Sequence, residues 1–553
     1  MPHVAGDASR LVAPVLDVRG LQVALPGDAD RSHAIERMDL RIDQGRTLCI
    51  VGESGSGKSV LATTVMGLLA QGLSITSGEV HLKGEIILGG GQYVPERRLR
   101  ALRGRAMGMV FQEPMTALNP VLTCGEQVDE LLRTHTNADS AQREAQILEV
   151  FERVRLPDPA RIFASYPHQL SGGQRQRIVI AMAIILKPRL LICDEPTTAL
   201  DVTTQAEILK LIAELRAEQG SAVLFITHDM GVVAEIADEV LVMHRGKVVE
   251  QGSREQVLHR PREEYTRMLL AAVPGMVPPP PRELPGGSAL LSARRVGKTY
   301  VRRDWLGRAH RSAALHDASL SVRPGETVGI VGESGSGKST FARCMLRLIE
   351  PTEGVITWGD SEVQSLPERR LRALRSHVQV VFQDPNRSLN PRRTVGSSLV
   401  EGAINFGMTA AKARELAETL MDRIRLPRAA LERYPHQFSG GQRQRLAIAR
   451  AVACQPRVLV ADEAVSALDV SVQAQILDLL REIQRDLGLG ILFITHDLRV
   501  AAQLCDRVIV MNRGQVVEEG PTAQVFSRPA HPYTQRLLAA APGADVGVVA
   551  AVA

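Results

Sequence analysis

Aromatic residues and cysteines are scarce in this sequence, and long apolar runs are missing. Phe, Trp and Tyr make up 3% of the 553 residues, and the six cysteines form no CxxC pair. Without such pairs or histidines at zinc-like spacing, neither a zinc module nor a disulfide framework is expected, and a reducing compartment is the natural setting. No apolar run approaches the ~18–20 residues that cross a bilayer. The start, MPHVAGDASR, has no charged head followed by an apolar core, so we expect neither a membrane span nor an export signal.

A large charge of one sign is also absent. The sequence has 66 Lys and Arg against 61 Asp and Glu, a net charge of +5. So small a surplus over so long a chain does not indicate a protein that coats nucleic acid. With 44% hydrophobic and 23% charged residues, the composition is that of an ordinary globular protein long enough for two large domains.

The chain repeats itself in four segments that keep their order. They are VGESGSGKS at 51–59 and 331–339, PERRLRALR at 95–103 and 367–375, SGGQRQR at 171–177 and 439–445, and LFITHD at 224–229 and 492–497. A period of half the chain is too long for a solenoid, so the repeated unit is a whole domain. We predict a first domain over 1–273, a Pro/Gly-rich linker over 274–288 (PGMVPPPPRELPGGS), and a second domain over 289–553. PERRLRALR favours a solvated basic helix face over a lipid or RNA contact.

Short apolar runs such as TLCIVG and LLICDE alternate with helical stretches such as TTQAEILKLIAELRAEQG. This alternation predicts an α/β fold with a mainly parallel sheet in each half, and a helical segment separates the two glycine-rich motifs.

GESGSGKS follows a strand-like run in each half and fits the phosphate-loop pattern G-x-x-x-x-G-K-[ST]. Its glycines let backbone N–H groups face phosphate oxygens at a helix start. Lys58 and Lys338 are expected on the β- and γ-phosphates, and Ser59 and Ser339 on Mg²⁺. The full nucleotide-binding set from this motif is Gly52, Ser54, Gly55, Gly57, Lys58, Ser59 and Val60, with Gly332, Ser334, Gly335, Gly337, Lys338, Ser339 and Thr340.

Two acids end a buried strand in each half, in LLICDE and VLVADE. Asp194 and Asp462 are placed to hold Mg²⁺, and Glu195 and Glu463 to polarise an attacking water. His228 and His496 end the strand of FITHD and are further catalytic candidates, although a lone His there is more often structural. The SGGQ segments, read as phosphate cradles or as ordinary helix caps, are Ser171, Gly172, Gly173 and Gln174, and Ser439, Gly440, Gly441 and Gln442.

The order of the motifs in each half resembles that of ATP-binding cassette (ABC) ATPases. It is phosphate loop, glutamine (Gln112 or Gln383), SGGQ, Asp-Glu, ALD and strand-end His. The resemblance implies two ATP sites, each pairing one half's phosphate loop with the other half's SGGQ. It also implies that Gln112 and Gln383 are catalytic residues that bind Mg²⁺, and that their loops sense both the γ-phosphate and the permease. An aromatic residue usually stacks on adenine in this family; the second half has Tyr300 there, and the first has Leu25.

Three further segments resemble the cassettes of bacterial di- and oligopeptide importers. They are FQEPMTALNP, FQDPNRSLNP and YPHQLSGGQRQR. RPAHPYTQRLLAAAP (528–542) resembles that family's C-terminal motif, and RPREEYTRMLLAAVP (260–274) is a degraded copy in which Glu263 and Glu264 replace His-Pro. Neither tail has the cysteine cluster of some members, so no iron–sulfur cluster is expected. Ala464 stands where Pro196 follows the acids, a change we expect to be tolerated.

The resemblance implies an ATPase on the cytoplasmic face of the membrane, docked on two integral-membrane permeases, with an extracytoplasmic peptide-binding protein supplying cargo. Dipeptides, longer peptides, glutathione and nickel chelates are all compatible cargoes. The alternative is a soluble tandem cassette acting on ribosomes or DNA. The short Pro-rich linker, the lack of CxxC and the lack of a long heptad insertion all count against it, so no nucleic-acid partner is expected.

Overall fold

A computed structural model describes residues 13–27, 31–112, 117–198, 200–303, 309–466 and 468–541. The chain divides into two compact units, residues 1–200 with 204–270, and residues 201–203 with 271–553. Each unit is an α/β structure with a mainly parallel sheet, which confirms the predicted fold class.

The first unit has two sheets in its described part. Its strands are β1 (Leu16–Ala24), β2 (His33–Ile42), β3 (Thr47–Val51), β4 (Ser74–Leu82), β5 (Glu85–Gly89), β6 (Gln92–Tyr93), β7 (Met107–Val110), β8 (Leu190–Asp194), β9 (Ala222–Ile226), β10 (Glu239–His244) and β11 (Lys247–Ser253). One sheet has the order β2-β1-β4-β5-β6, and the other β11-β10-β3-β9-β8-β7. In the second sheet β10, β3, β9, β8 and β7 are parallel neighbours.

The helices of the first unit cover the sheets and form a helical segment between the two glycine-rich motifs. They are Lys58–Val65, Glu96–Leu102, Cys124–His135, Ser140–Arg153, Pro159–Phe163, Gly172–Ile184, Val202–Gln219, Met230–Ile236, Arg254–His259 and Glu264–Ala271, with a 3-10 turn at Pro167–Gln169. Capping boxes start two of the helices in the middle segment, through Thr123 with Glu126 and Asp139 with Gln142.

The second unit repeats this arrangement. Its strands are β12 (Leu291–Arg303), β13 (Ala309–Val322), β14 (Thr327–Val331), β15 (Glu353–Trp358), β16 (Ser361–Glu362), β17 (Val378–Val381), β18 (Val458–Asp462), β19 (Gly490–Ile494), β20 (Arg507–Asn512) and β21 (Gln515–Pro521). The sheet orders are β13-β12-β15-β16 and β17-β18-β19-β14-β20-β21. Its helices are Lys338–Met345, Glu368–Leu374, Pro385–Ser388, Val395–Asn405, Ala410–Arg423, Gly440–Val452, Val470–Leu487, Leu498–Leu504, Thr522–Ser527 and Pro532–Ala539, with 3-10 turns at Arg428–Glu432 and Pro435–Gln437.

The central strands are buried on both faces, and this explains their unbroken apolar sequences. Every residue of β3 (TLCIV) and of β8 (LLICD) is buried. A strand covered on both sides carries no alternation of apolar and polar residues. The apolar run therefore delivers its last residue, Asp194, to the carboxyl edge of the sheet, beside the loop that follows β3.

The six cysteines are free thiols, and five of them are buried. Cys49 and Cys193 lie in β3 and β8, and Cys344 lies in the helix Lys338–Met345. Cys454, predicted in a helical stretch, lies just beyond the helix that ends at Val452. The helix stops there because Pro456 cannot continue it and Gln455 takes a left-handed φ of 50°.

The Pro-rich segment predicted as a linker belongs with the second unit. Gln503 Nε2 donates to the carbonyl oxygens of Gly275 (3.0 Å) and Val277 (2.7 Å). Arg282 forms an ion pair with Asp506, with 2.7 Å between Nε and Oδ1. This part of the segment is therefore held against the second unit.

Candidate functional site

The phosphate loop connects the end of a central strand to a helix in each unit. Gly52 and Gly332 both have φ of 147°, and an added Cβ would lie 2.1 Å from Met243 O and 2.2 Å from Met511 O. Only glycine fits so close to a neighbouring backbone. Gly55 and Gly335 have open space where a Cβ would stand.

The remaining loop residues lie where a phosphate-binding loop needs them. Ser54 and Ser334 are exposed, and Gly57 and Gly337 end the loop immediately before the helices that begin at Lys58 and Lys338. Val60 and Thr340 are in the first turns of those helices. Within the described residues, the Ser336 hydroxyl is buried in its loop without a hydrogen-bond partner. An open loop at a helix start with an unsatisfied hydroxyl fits a phosphate group.

The lysine of each loop folds back over it. Lys58 Nζ donates to the carbonyls of Gly52 (2.7 Å) and Glu53 (2.9 Å), and Lys338 Nζ to those of Gly332 (2.7 Å) and Glu333 (2.8 Å). Each lysine is 5% exposed. Burial lowers the pKa of Lys338, while Glu463 and Asp462 favour its charged form.

A serine and an aspartate meet beside each lysine. Ser59 Oγ donates to Asp194 Oδ1 at 3.1 Å, and Ser339 Oγ to Asp462 Oδ1 at 3.3 Å. Burial raises the pKa of Asp194 to about 6, against the hydrogen bond from Ser59, and burial also raises that of Asp462.

The oxygens of this serine–aspartate pair suit Mg²⁺. No group of three or more His, Cys, Asp or Glu side chains able to hold a metal occurs in the described part of the chain. Mg²⁺ usually takes only one or two carboxylates and completes its shell with phosphates and water. The pair therefore fits a magnesium ion that arrives with a nucleotide.

Glu195 is the centre of a small polar network in the first unit. It accepts hydrogen bonds on Oε2 from Gln112 Nε2 (3.0 Å) and Thr198 Oγ1 (2.9 Å), and His228 Nδ1 lies 3.4 Å from the same oxygen. Burial alone would raise the pKa of the Glu195 carboxyl, but His228, Thr198 and Lys58 hold it at about 2. The carboxylate is thus ionised, the form that accepts a proton.

The second unit has the same network with one difference. Gln383 Nε2 donates to Glu463 Oε2 at 2.8 Å, and His496 Nδ1 lies 3.5 Å from Glu463 Oε1. Burial opposes ionisation of Glu463, but the hydrogen bond and charge of His496 and the charge of Lys338 lower its pKa. Ser466 Oγ donates to the main-chain oxygen of Glu463 (3.0 Å), whereas Thr198 donates to the Glu195 carboxylate.

Both glutamates adopt a backbone conformation that is unusual outside glycine. Their φ angles are 47° for Glu195 and 49° for Glu463. A left-handed φ costs such a residue about 1–3 kcal/mol and persists where the surroundings fix it. Here each N–H is held by the neighbouring strand, Glu195 by Ile226 O (3.0 Å) and Glu463 by Ile494 O (2.9 Å).

The SGGQ segments begin the helices Gly172–Ile184 and Gly440–Val452 with capping boxes. Ser171 Oγ accepts from Gln174 N at 3.2 Å while Gln174 Oε1 accepts from Ser171 N at 3.0 Å, and Ser439 and Gln442 repeat the exchange. An added Cβ would lie 2.9 Å from Thr204 at Gly173 and 2.3 Å from Val472 at Gly441. Gly172 and Gly440 have open space at that position. The second glycine therefore serves helix packing, and only the first faces open space.

The structure thus gathers one set of predicted residues and leaves another apart. Around each phosphate loop it brings together the lysine, serine, aspartate, glutamate, glutamine and histidine. No hydrogen bond among the described residues joins SGGQ to the loop of its own unit. Residues 113–116 of FQEPMTALNP, and Ala199 and Ala467 of the two ALD segments, lie outside the described residues.

Leu25 and Tyr300 occupy equivalent places at the first hairpin of each unit. Leu25 N donates to Ser32 O at 2.9 Å, and Tyr300 lies opposite Ser312 in the β12–β13 register. Tyr300 is 43% exposed, and Lys298 Nζ lies 5.3 Å from the centroid of its ring. Leu25 instead packs against the core of the first unit.

Sequence reasoning missed two residues that touch the phosphate loops. Tyr265 and Tyr533, in the helices Glu264–Ala271 and Pro532–Ala539, place their hydroxyls on Glu53 N and Glu333 N, at 3.4 Å and 3.0 Å. The signal was present, because the tyrosine stands in both tails although His-Pro stands in only one.

Comparisons with known proteins agree with this geometry. The ABC transporter family model matches residues 35–198 and 315–466, and the model of the oligopeptide/dipeptide transporter C-terminal region matches 249–309 and 517–548. A glutathione import ATP-binding protein GsiA of Salmonella paratyphi A is 45% identical over 577 residues, 99% of this chain and 92% of the relative. GsiA of Escherichia coli K12 is 45% identical over 562 residues, 96% of this chain and 90% of the relative.

Among solved structures, the ATP-binding cassette MJ0796 in a dimeric post-hydrolysis state bound to ADP and Pi is 30% identical. It covers 42% of this chain and 98% of its own, with a TM-score of 0.38.

Proposed function

The chain belongs to the ABC transporter ATPases of the oligopeptide/dipeptide importer family, with two cassettes in one chain, and from this premise we propose that it energises uptake of small peptides. It binds ATP and is an ATPase. We propose dipeptides, oligopeptides and the tripeptide glutathione as its cargo class. The relatives named for glutathione import support glutathione within this class.

One observation carries the proposal. In both units, a buried lysine, a serine–aspartate pair and a Gln–Glu–His network surround an open phosphate loop. Two complete sets are what a subunit needs to hydrolyse ATP in both cassettes. Each cassette keeps both its glutamate and its histidine.

Each side chain has a distinct proposed role. Lys58 and Lys338 bind the β- and γ-phosphates, and Glu195 and Glu463 activate water, with His228 and His496 orienting that carboxylate. Ser59 and Asp194, with Gln112, would hold Mg²⁺ in the first unit, as would Ser339, Asp462 and Gln383 in the second. Bound Mg²⁺ neutralises developing negative charge on the phosphates. The SGGQ segments contribute nucleotide-binding N–H groups, and no iron–sulfur cluster is involved.

We propose that the chain docks as a peripheral subunit on two integral-membrane permeases, on the cytoplasmic face of the membrane. A peptide-binding protein outside that membrane presents the cargo to those permeases. In the described residues no helix is both long and apolar enough to cross a membrane. We propose a first domain over 1–273 and a second over 289–553, joined by a linker over 274–288 that is held against the second domain.

The test is co-expression with candidate permeases of this importer family, followed by purification and ATPase assay. We expect one complex whose hydrolysis rises several-fold when the binding protein is loaded with glutathione, a dipeptide or a tetrapeptide. The Glu195→Gln/Glu463→Gln double variant is the control for contaminating ATPases. No association with the permeases, or association with ribosomes or DNA instead, would contradict the proposal.

A further inference from the structure

One peptide unit of the phosphate loop is held from both sides in the second cassette. It joins Gly332 to Glu333. Its carbonyl oxygen accepts a hydrogen bond from Lys338 Nζ at 2.7 Å, and its N–H donates to the Tyr533 hydroxyl at 3.0 Å. A peptide unit is planar, so fixing its N–H also fixes the direction of its carbonyl. Tyr533 therefore orients the Gly332 carbonyl, which accepts the hydrogen bond from Lys338.

This peptide unit needs such support because of its backbone conformation. Gly332 has φ of 147°, a value open to glycine alone among ordinary residues. Glycine offers little resistance to rotation, so the plane must be fixed by its neighbours. The lysine holds one end of it and the tyrosine the other.

The first cassette repeats the arrangement with a longer contact. Lys58 Nζ donates to Gly52 O at 2.7 Å, and Glu53 N donates to the Tyr265 hydroxyl at 3.4 Å. The Tyr265 ring stacks on His244, with 4.1 Å between ring centroids. The same three-group arrangement in both halves shows that it is a feature of the duplicated domain.

A glutamate in each half holds the chain just before the helix that carries the tyrosine. The Glu518 carboxylate accepts from Ala530 N (2.8 Å) and His531 N (3.0 Å), just before the helix that carries Tyr533. In the first unit Glu250 accepts from Arg262 N (2.9 Å) and Glu263 N (3.3 Å). The turn before the tyrosine-bearing helix is thus held by a carboxylate in both units, although Glu263 and Glu264 replace His-Pro in the first.

Tyr533 is also suited to the contact by its surroundings. The residue is 5% exposed, and burial raises the pKa of its hydroxyl to about 12. The hydroxyl is therefore neutral and presents a lone pair to the Glu333 N–H.

We propose that Tyr533 and Tyr265 are positioning residues that hold the phosphate-binding lysine of each cassette through the peptide unit between them. The inference rests on the proposed function of Lys338 and Lys58 as phosphate ligands. The two tyrosines lie in the segments matched by the C-terminal region model, 249–309 and 517–548, so these segments would contribute to the nucleotide site. The bond to the peptide is a neutral hydrogen bond, a contact worth about 0.5–1.5 kcal/mol.

The test removes the hydroxyl and keeps the ring. Tyr533→Phe is made in a Lys58→Ala background, so that only the second site binds, and ATP, ADP and AMP compete with a fluorescent ATP analogue. We expect ATP and ADP to bind about two- to tenfold more weakly, the range of one lost hydrogen bond. AMP, which has no β- or γ-phosphate for the lysine, should be unaffected. A variant that altered the domain generally would weaken all three nucleotides alike.

Matched variants keep the test decisive. Tyr265→Phe in a Lys338→Ala background should show a smaller loss, because its contact is longer. Tyr93→Phe removes a hydroxyl that donates to Thr64 O at 2.9 Å, and should leave nucleotide affinities unchanged. If Tyr533→Phe fails to fold, Tyr265→Phe carries the test.

Two results would overturn the inference. They are ATP affinity within twofold of the parent in both Phe variants, and equal losses for ATP and AMP. A chain that binds no ATP even with both lysines intact would contradict the proposed function instead.

Discussion

Replacing Arg282 by glutamine should destabilise the second unit, because this arginine supplies the guanidinium that pairs with the Asp506 carboxylate. Arg282 Nε and Nη2 donate to the two Asp506 carboxylate oxygens at 2.7 and 2.8 Å, and Nη2 also reaches Gly325 O at 2.9 Å. In the first unit the corresponding carboxylate, Asp238, accepts from Arg216 Nη1 at 2.9 Å.

The second unit has glutamine at the position of that arginine. Gln484 Nε2 donates to Thr327 Oγ1 at 2.7 Å, just as Arg216 Nη1 donates to Thr47 Oγ1 at 2.9 Å. A glutamine amide cannot also supply charge to the aspartate. Arg282, from the Pro-rich segment, does so instead.

The size of the effect follows from burial. The Asp506 side chain is 16% exposed and that of Arg282 46%. A hydrogen bond to a charged group contributes about 1.5–3 kcal/mol when buried, and exposure of one partner reduces this. We expect Arg282→Gln to cost about 1–2 kcal/mol, a fall of roughly 2–8 °C in the melting temperature of a unit of this size.

The assay is calorimetric unfolding of the full chain, with the transition of the first unit as an internal reference. Arg485→Gln is the control, since Arg485 is 76% exposed and lies 4.0 Å from its ion-pair partner, Asp486. Adding Gln484→Arg to Arg282→Gln should restore most of the loss by rebuilding the arrangement of the first unit. Unchanged stability in Arg282→Gln, or no recovery in the double variant, would refute the reasoning.

Three further predictions concern the nucleotide sites and the cysteines. Glu195→Gln and Glu463→Gln should each lower the ATPase rate of the assembled transporter, because general-base catalysis is worth about 100-fold or more per site; an unchanged rate in either variant contradicts hydrolysis at both sites. Leu25→Tyr should tighten ATP binding at the first site several-fold, and Tyr300→Leu should weaken the second, since stacking on a base is worth about 1–3 kcal/mol; equal affinities in the wild-type sites, titrated in hydrolysis-deficient variants, would show that stacking does not distinguish them. Anaerobically purified protein should hold no stoichiometric iron or sulfide, because five of the six cysteines are buried and none pair as CxxC; stoichiometric amounts of both would disprove this.

The strand-and-motif frame could be predicted because its signals are local. The strands β3 and β8 are buried apolar runs, each followed directly by a motif residue with a known chemistry. The pairing of Ser59 with Asp194 also follows from the sequence, since Asp194 ends β8 and Ser59 follows the loop after β3, and both strands point their carboxyl ends to the same edge of one parallel sheet.

The contacts that sequence reasoning missed depend on main-chain groups or on distant residues. Tyr533 binds a backbone N–H 200 positions away; the tyrosine repeated in both tails marks the residue, but the sequence does not mark the N–H that it contacts. Arg282 lies in a segment whose prolines indicate an extended linker, and its partner is 224 positions away. Comparing the two copies shows that Arg216 in one half is replaced by Gln484 in the other, but it does not show which residue pairs with Asp506 instead.

The most direct measurement of the central claim is ATP-driven uptake by proteoliposomes that contain this chain and its permeases. With the binding protein and labelled glutathione or a labelled dipeptide outside and ATP inside, we expect accumulation that Glu195→Gln/Glu463→Gln abolishes. Uptake of peptide that is independent of ATP hydrolysis, or ATP hydrolysis that no peptide cargo stimulates, would contradict it.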